Sequence, residues 1–383
     1  MPHTHALKRK RVILVVAVLL AVAGLAALKP QFRHGYDTTL LLFELAGREA
    51  PLPDRRPDFA AREIHYDLEG APQLADLYAP VTPARAGLVL VPGAAEGGRR
   101  DARLVEFAGA MARSGFAVLV PDIPSFRELR PSPESTREIA GGVVQLRRGG
   151  ELAAGLRLGI GAFSIASGPA VLTVLDTDAG GLVDFLLLVG GYHDLPRTLT
   201  YLTTGYFEVD GQPRRRAPDT YGKWVYALAN AGRLRDPADR ATLAEMARLK
   251  LQDPEADVGR LQRRLGLAGK AVYAFITNTD PGRVPELLAE LPRPVRADIA
   301  ALDLATRDLS TIDAEFILVH GFDDTIIPYT ESVSLAQALP HGQSRLFLLG
   351  GLHHVDRDVR GADALRMWRA LQAVLEQRDG GPA

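Results

Sequence analysis

The sequence predicts an α/β fold: a mostly parallel central sheet with helices on both faces, interrupted by an inserted helical cap. Three observations predict it. From Gly87 onward, short continuous apolar runs alternate with segments of helical spacing, the pattern of strands buried on both faces by crossover helices. Between about Leu195 and Ser310 the strand signal disappears and helical segments take over, punctuated by Pro218, Pro237, Pro254, Pro281, Pro292 and Pro294. An interruption of that length is too long for a loop and reads as a cap folded over the sheet's carboxyl edge. Strands then resume, and the chain closes on the amphipathic stretch ALRMWRALQAVLEQ.

The chain divides in order. Residues 1–11 form a basic end, in which Lys8, Arg9, Lys10 and Arg11 precede VILVVAVLLAVAGLAAL, residues 12–28. At 1.5 Å per residue this stretch makes a helix of about 25 Å, near the lower limit for crossing a bilayer. Four positive charges before it would stay cytoplasmic, so the predicted arrangement is a single-pass anchor in the inner membrane with the rest of the chain outside. The alternative is a signal peptide cleaved near Ala21-Val22-Ala23, giving a secreted or periplasmic protein. Residues 29–61 carry Pro30, Pro51, Pro53 and Pro57 around a short helical segment, TTLLLFELAG, and read as a linker or stalk whose one amphipathic element lies against either the membrane or the domain.

Residues 62–195 form the first part of the core. REIHYDL and QLADLYAP have strand character and are separated by the turn signal Glu69-Gly70-Ala71-Pro72. GLVLVPG, FAVLVPDIP, LRLGIGAF and LVDFLLLVGG are buried strands, with helices at LVEFAGAMARSG, at PESTREIAGGVVQL and after Ser164. Residues 196–312 form the cap, with helices expected at YGKWVYALANAG, DPADRATLAEMARLKL, ADVGRLQRRLGL and PGRVPELLAEL. Residues 313–383 complete the core through AEFILVHG, SRLFLLGG and the last helix.

Composition excludes several functions. The formal net charge of −1 points to no polyanion and no nucleic acid, and Arg214-Arg215-Arg216 reads as solvated surface. There is no cysteine, which removes disulfides, thiol catalysis and cysteine-ligated metals. His65, His193, His320 and His341 stand alone without partners at metal-ligand spacing, so no metal is expected. GLRLGIGAF does not have the spacing of a phosphate-cradling loop, and no cofactor is expected.

The chemistry concentrates at three strand ends. In Ala162-Phe163-Ser164-Ile165-Ala166, Ser164 sits where a strand turns into a helix. A hydroxyl raised on such a corner needs small residues two places before and after it, and alanine meets that demand with less room than glycine. The bland alternative is a helix N-cap serine. FILVHGFDDTIIP ends a buried strand in two acids, Asp323 and Asp324, and RLFLLGGLHHVD ends another in His353 and His354. Nucleophile, acid and base in that chain order, each after its own strand, are the elements of a serine triad.

On these motifs the chain resembles the α/β-hydrolase superfamily over roughly Arg62 to Gln377. LVLVPGAAEGG resembles the oxyanion-loop strand, GAFSIASG the nucleophile elbow, LVHGFDDTIIP the acid loop and LLGGLHHVD the histidine loop. The resemblance implies Ser164 as nucleophile, Asp324 as acid with Asp323 as fallback, and His354 as base with His353 as alternative. Asp194 is a further acid position. Backbone N–H groups of Ala94 and Ile165 would form the oxyanion hole. The implied activity is hydrolysis of a carboxylic ester or related acyl bond of a small molecule. Acyl transfer, peptide cleavage and a catalytically silent scaffold on the same fold remain open. Tyr201, Tyr206, Phe207, Tyr221, Trp224, Tyr226, Tyr273 and Phe275 in the cap are either an acyl pocket or core.

Overall fold

The computed structural model describes residues 34–93, 97–128, 132–350 and 362–380. The apolar segment 12–28 lies outside them, and among the described residues no helix is long and apolar enough to cross a membrane. The sheet has eight strands: β1 (Phe59–Leu68), β2 (Ala71–Pro80), β3 (Ala86–Val91), β4 (Phe116–Pro121), β5 (Leu158–Phe163), β6 (Phe185–Val189), β9 (Glu315–Gly321) and β10 (Ser344–Leu349). Their spatial order is β1-β2-β4-β3-β5-β6-β9-β10. β1 and β2 form a hairpin with Leu68 opposite Ala71, and Glu69 and Gly70 both take positive φ (55° and 85°), the backbone of a two-residue type I′ turn. β2 pairs antiparallel with β4, and every later pairing in this sheet is parallel.

The continuous apolar runs are the central strands. Every residue of β3 and β4 is buried, as two covered faces require. β1, at the edge, is largely exposed, and its sequence is correspondingly mixed. One face carries α2 (Ala102–Arg113), α14 (Ala362–Arg378) and a helix over 34–45, here α1. The other carries α4 (Ser135–Arg148), α5 (Ser167–Asp176) and α13 (Thr330–Ala338). A short α3 (Pro124–Arg127) follows β4.

The segment read as a stalk contains α1, and α1 packs on the domain. Leu40 and Leu41 are 1% and 0% exposed. Each such leucine is worth about 1.5–3 kcal/mol of burial, and partly buried ion pairs accompany them. Those pairs fix the position of α1. Asp37 takes Arg378 at 2.9 Å, and Glu44 takes both Arg56 and Arg113 at 2.7 Å. The Trp368 indole N–H donates to Thr39 Oγ1 at 3.1 Å.

Between β6 and β9 run α6 (Leu195–Thr204), α7 (Thr220–Ala231), α8 (Pro237–Gln252), α9 (Gly259–Arg264), α10 (Leu267–Thr277), α11 (Val284–Glu290) and α12 (Arg293–Leu302). This stretch is not wholly helical. β7 (Tyr206–Val209) and β8 (Gln212–Arg215) form an antiparallel hairpin about Asp210-Gly211, both at positive φ. The Asp-Gly pair is a hairpin signal, but β8 is fully exposed and holds a proline and two arginines, so it gives no alternating apolar pattern. The expectation for Arg216 also needs correction. It is half-buried, and its guanidinium donates to the carbonyls of Phe322 (2.7 Å) and Asp324 (3.3 Å). Sequence charge alone does not reveal that the acid loop lies beside the hairpin.

Candidate active site

The chain leaves β3 toward β4 and returns to place β5 on β3's other side, so the carboxyl ends of β3 and β5 flank a topological switch point, where open α/β sheets form their crevice. Ser164 stands there. Phe163 is still extended, with φ −117° and ψ 140°. Ser164 then takes φ 54°, and a 3-10 turn, Ser164–Ala166, leads into α5. Left-handed backbone costs a residue with a Cβ about 1–2 kcal/mol. Among the described residues Glu69 and Asp210 share it, both in hairpin turns, whereas Ser164 is at a strand-to-helix corner.

The surroundings hold this corner in place. Ala162 and Ala166 are 1% and 0% exposed, so the positions flanking the serine are filled. Four residues on, a Cβ at Gly168 would lie 1.8 Å from Tyr192 Oη, whose hydroxyl donates to the Leu302 carbonyl at 2.8 Å. Helix α5 therefore sits against Tyr192 at a distance only glycine permits. Ser167 is the nearest other hydroxyl. It is fully buried and its Oγ accepts the Tyr192 N–H at 3.2 Å, which makes it part of the packing. A stability measurement tests the corner: Ser164→Gly should be more stable than Ser164→Ala by about 1 kcal/mol, because only glycine relaxes at this φ. Equal denaturation midpoints for the two variants would mean that the corner holds no strain.

The two acids after β9 have different environments. Asp324 is 1% exposed; one carboxylate oxygen accepts the N–H groups of Ile326 (2.8 Å) and Ile327 (3.0 Å). Its other oxygen lies 3.5 Å from His320 Nε2. That oxygen also lies over Gly190 at the end of β6, 3.5 Å from where a Cβ would be. Asp323 is 45% exposed at its side chain and faces Arg216 at 3.7 Å. His320 ties the loop together. It is fully buried, bonded through Nδ1 to Ser332 Oγ at 2.7 Å and through Nε2 to the Ile327 carbonyl at 3.0 Å. The carbonyl acceptor assigns the proton to Nε2. Tyr201 adds a clamp that sequence reading did not find: its hydroxyl donates to the Asp324 carbonyl at 2.7 Å, and burial raises its pKa.

Asp194 stands at the start of α6. It caps α6, accepting the Arg197 N–H at 2.8 Å, while its own N–H goes to the buried Glu331. Ile165 lies in the first helical turn after the corner, where N–H groups have no partner within the helix. Gly93 approaches it from the β3 loop; a Cβ there would be 3.8 Å from the Phe163 carbonyl. Ala94, His353 and His354 lie outside the described residues.

A cavity of about 680 Å³ opens at Ser164. Pro92, Gly93, Phe163, Ile165, Ile326 and Ile327 join the serine in its lining, so the β3 loop, the elbow and the acid loop converge on one space. Two cap aromatics, Tyr221 and Tyr226, also line it. Tyr201, Trp224 and Phe275 are buried core. The Tyr226 hydroxyl is buried without a partner among the described residues, and burial, with Asp298 adding to it, raises its pKa. The contribution of α1 and α14 to the cavity was invisible to sequence reading, because nothing in those helices marks a site.

No family model and no curated protein matches the chain. Solved structures do. A "putative hydrolase" from Legionella pneumophila aligns with TM-score 0.54 at 11% identity, covering 90% of this chain and 96% of that one. With the strand order and the strand-to-helix serine corner, that likeness identifies the architecture.

The chain has the α/β-hydrolase fold.

Other similar structures include a puromycin-hydrolysing peptidase from Mycobacterium tuberculosis, at 15% identity and TM-score 0.47, covering 87% of this chain and 41% of that one. The esterase domain of a Rhodothermus marinus protein matches at 15% identity and TM-score 0.43, covering 83% of this chain and 98% of that one. The chain thus spans about two fifths of the peptidase's length. One of these two is a peptidase and the other an esterase domain, and neither TM-score reaches 0.5.

Proposed function

We propose that the protein is a serine hydrolase that cleaves a carboxylic ester or a related acyl bond. The observation that carries this reading is Ser164, held at positive φ on a strand-to-helix corner and facing a cavity. A glycine corner would relieve this strain, and strained backbone is concentrated at functional sites.

The reaction has two halves. In the first, Ser164 Oγ attacks the acyl carbon as His354 takes its proton, with His353 as the alternative base. Asp324 holds the imidazole and stabilises its charged form. The N–H groups of Ile165 and Ala94 stabilise the oxyanion. Collapse of the tetrahedral species breaks the acyl–oxygen bond, and the imidazolium returns its proton to the leaving alcohol. In the second half, water gives a proton to the same imidazole and adds to the acyl carbon; the carboxylic acid leaves and Ser164 regains its proton. Nothing in this cycle requires a cofactor.

The mostly apolar lining favours an ester over a peptide, whose amide groups would lose hydrogen bonds there. Labelling with a fluorophosphonate probe tests the reading directly. One adduct per chain on the peptide containing Ser164 is expected, and its formation should be blocked in Ser164→Ala. An intact protein that takes up no label would exclude the proposed nucleophile. Comparing an aryl ester with the matching anilide then separates esterase from amidase chemistry.

A further inference from the structure

The cavity lies on two sides of the sheet's carboxyl edge, and the two sides differ in chemistry. On the α14 side, Met367, Leu371 and Val374 recur at helical spacing and face the sheet residues Leu187, Val189 and Val319. The lining stretch runs from Ala364 to Val374, about 15 Å at 1.5 Å per residue. A zigzag of 1.5 Å bonds at 111° fits about a dozen carbons into that length. Leu42 and Leu45 of α1 close this arm. The α14 stretch of the lining is long and apolar and suits a hydrocarbon chain; the charged residues on this side, Arg48, Asp101 and Arg103, stand after α1 and at the start of α2.

On the cap side the lining includes Tyr226, Asn230 and Asp298. Asp298 is ion-paired with Arg233 at 2.5 Å, so the arm presents no net charge from that pair. Tyr226 Oη is the unsatisfied group: buried, protonated and lacking a partner among the described residues. A buried hydroxyl left in that state costs free energy that a hydrogen-bonding ligand recovers.

We propose that the substrate is a long-chain acyl ester of a neutral, hydroxyl-bearing head group, its chain lying along α14 and its head against Tyr226. This rests on the serine hydrolase reading and names its substrate class. Hydrolysis would release a fatty acid and the head-group alcohol. The location of α1 fits such a substrate. It is the first described element after the apolar residues 12–28, with only residues 29–33 between, so an anchor there would keep the acyl arm within a short tether of lipid.

The test uses the full chain in detergent micelles. Across methyl esters from four to sixteen carbons, kcat/KM should rise by up to about fourfold per methylene, the ~0.8 kcal/mol of a buried CH₂, and level off near twelve carbons. Val374→Phe should move the optimum to shorter chains; Ala370→Leu, a smaller change on the same helix, repeats the test if the first variant does not fold. Tyr226→Phe should lower the ratio of monododecanoylglycerol to methyl dodecanoate turnover about fivefold. A butyrate optimum, or a ratio untouched by Tyr226→Phe, would overturn the proposal while fluorophosphonate labelling of Ser164 kept the hydrolase reading intact. If labelling fails, the Ser164→Ala protein still reports on the arm: dodecanoic acid should bind at least tenfold more tightly than butyric acid, and equal affinities would refute the arm by themselves.

Discussion

Ser164→Ala is expected to lower kcat on a short-chain aryl ester by about 10⁴ to 10⁶, the usual range when a triad nucleophile is removed. The fold should be unaffected. Alanine, like serine, has a Cβ, so the left-handed corner keeps the same strain, and the methyl group fits where the CH₂ was. Denaturation midpoints of the two proteins should agree to within about 0.5 kcal/mol of stability. This pairing of a large kinetic loss with an unchanged fold makes the result specific. Retained activity above a tenth of wild type would remove Ser164 from the mechanism. Ser167 would not replace it readily, since its hydroxyl is buried and accepts the Tyr192 N–H.

Much of the fold could be read from the sequence because buried parallel strands leave a signal that no other element mimics over so many repeats. Each apolar run from GLVLVPG to SRLFLLGG is a strand within a few residues of the expected bounds. The hairpin at 206–215 was missed because its pairing is backbone-driven and its outer strand is polar. Helices α10 and α12 were missed too. In α10, LAGKAVYAFIT, small and apolar residues spread around the helix and blur its periodicity, and α12 opens on Arg293-Pro294. The strand-to-helix corner at Ser164 was legible because it depends on chain order and local geometry. The site was not legible where distant segments meet. Nothing in TTLLLFELAG says that Leu42 and Leu45 would wall a cavity with α14, and nothing in a run of three arginines says that the third holds the acid loop.

That loop gives the second large effect. Asp324 and Asp323 are adjacent in sequence, but the fold gives them different surroundings, and three variants test the roles proposed for them. Asp324→Asn keeps an oxygen able to accept the Ile326 and Ile327 N–H groups, so stability should fall only modestly. The charge that would orient and stabilise an imidazolium is gone, and kcat should drop by about 10⁴, the cost of the equivalent change in a serine triad. Asp324→Ala removes the acceptor as well. The buried Ile327 N–H and the part-buried Ile326 N–H then lack a partner, at about 1–3 kcal/mol for a buried donor, so a loss of roughly 2–4 kcal/mol should accompany the kinetic defect. Asp323→Ala breaks an exposed contact with Arg216 worth at most about 1 kcal/mol, and should leave kcat within a few-fold of wild type. The discriminating quantity is the ratio of the two kinetic losses at matched stability. If Asp323→Ala proved as damaging as Asp324→Asn, the buried carboxylate would be a structural anchor and the exposed one the working acid, which would require the loop to turn over when substrate binds.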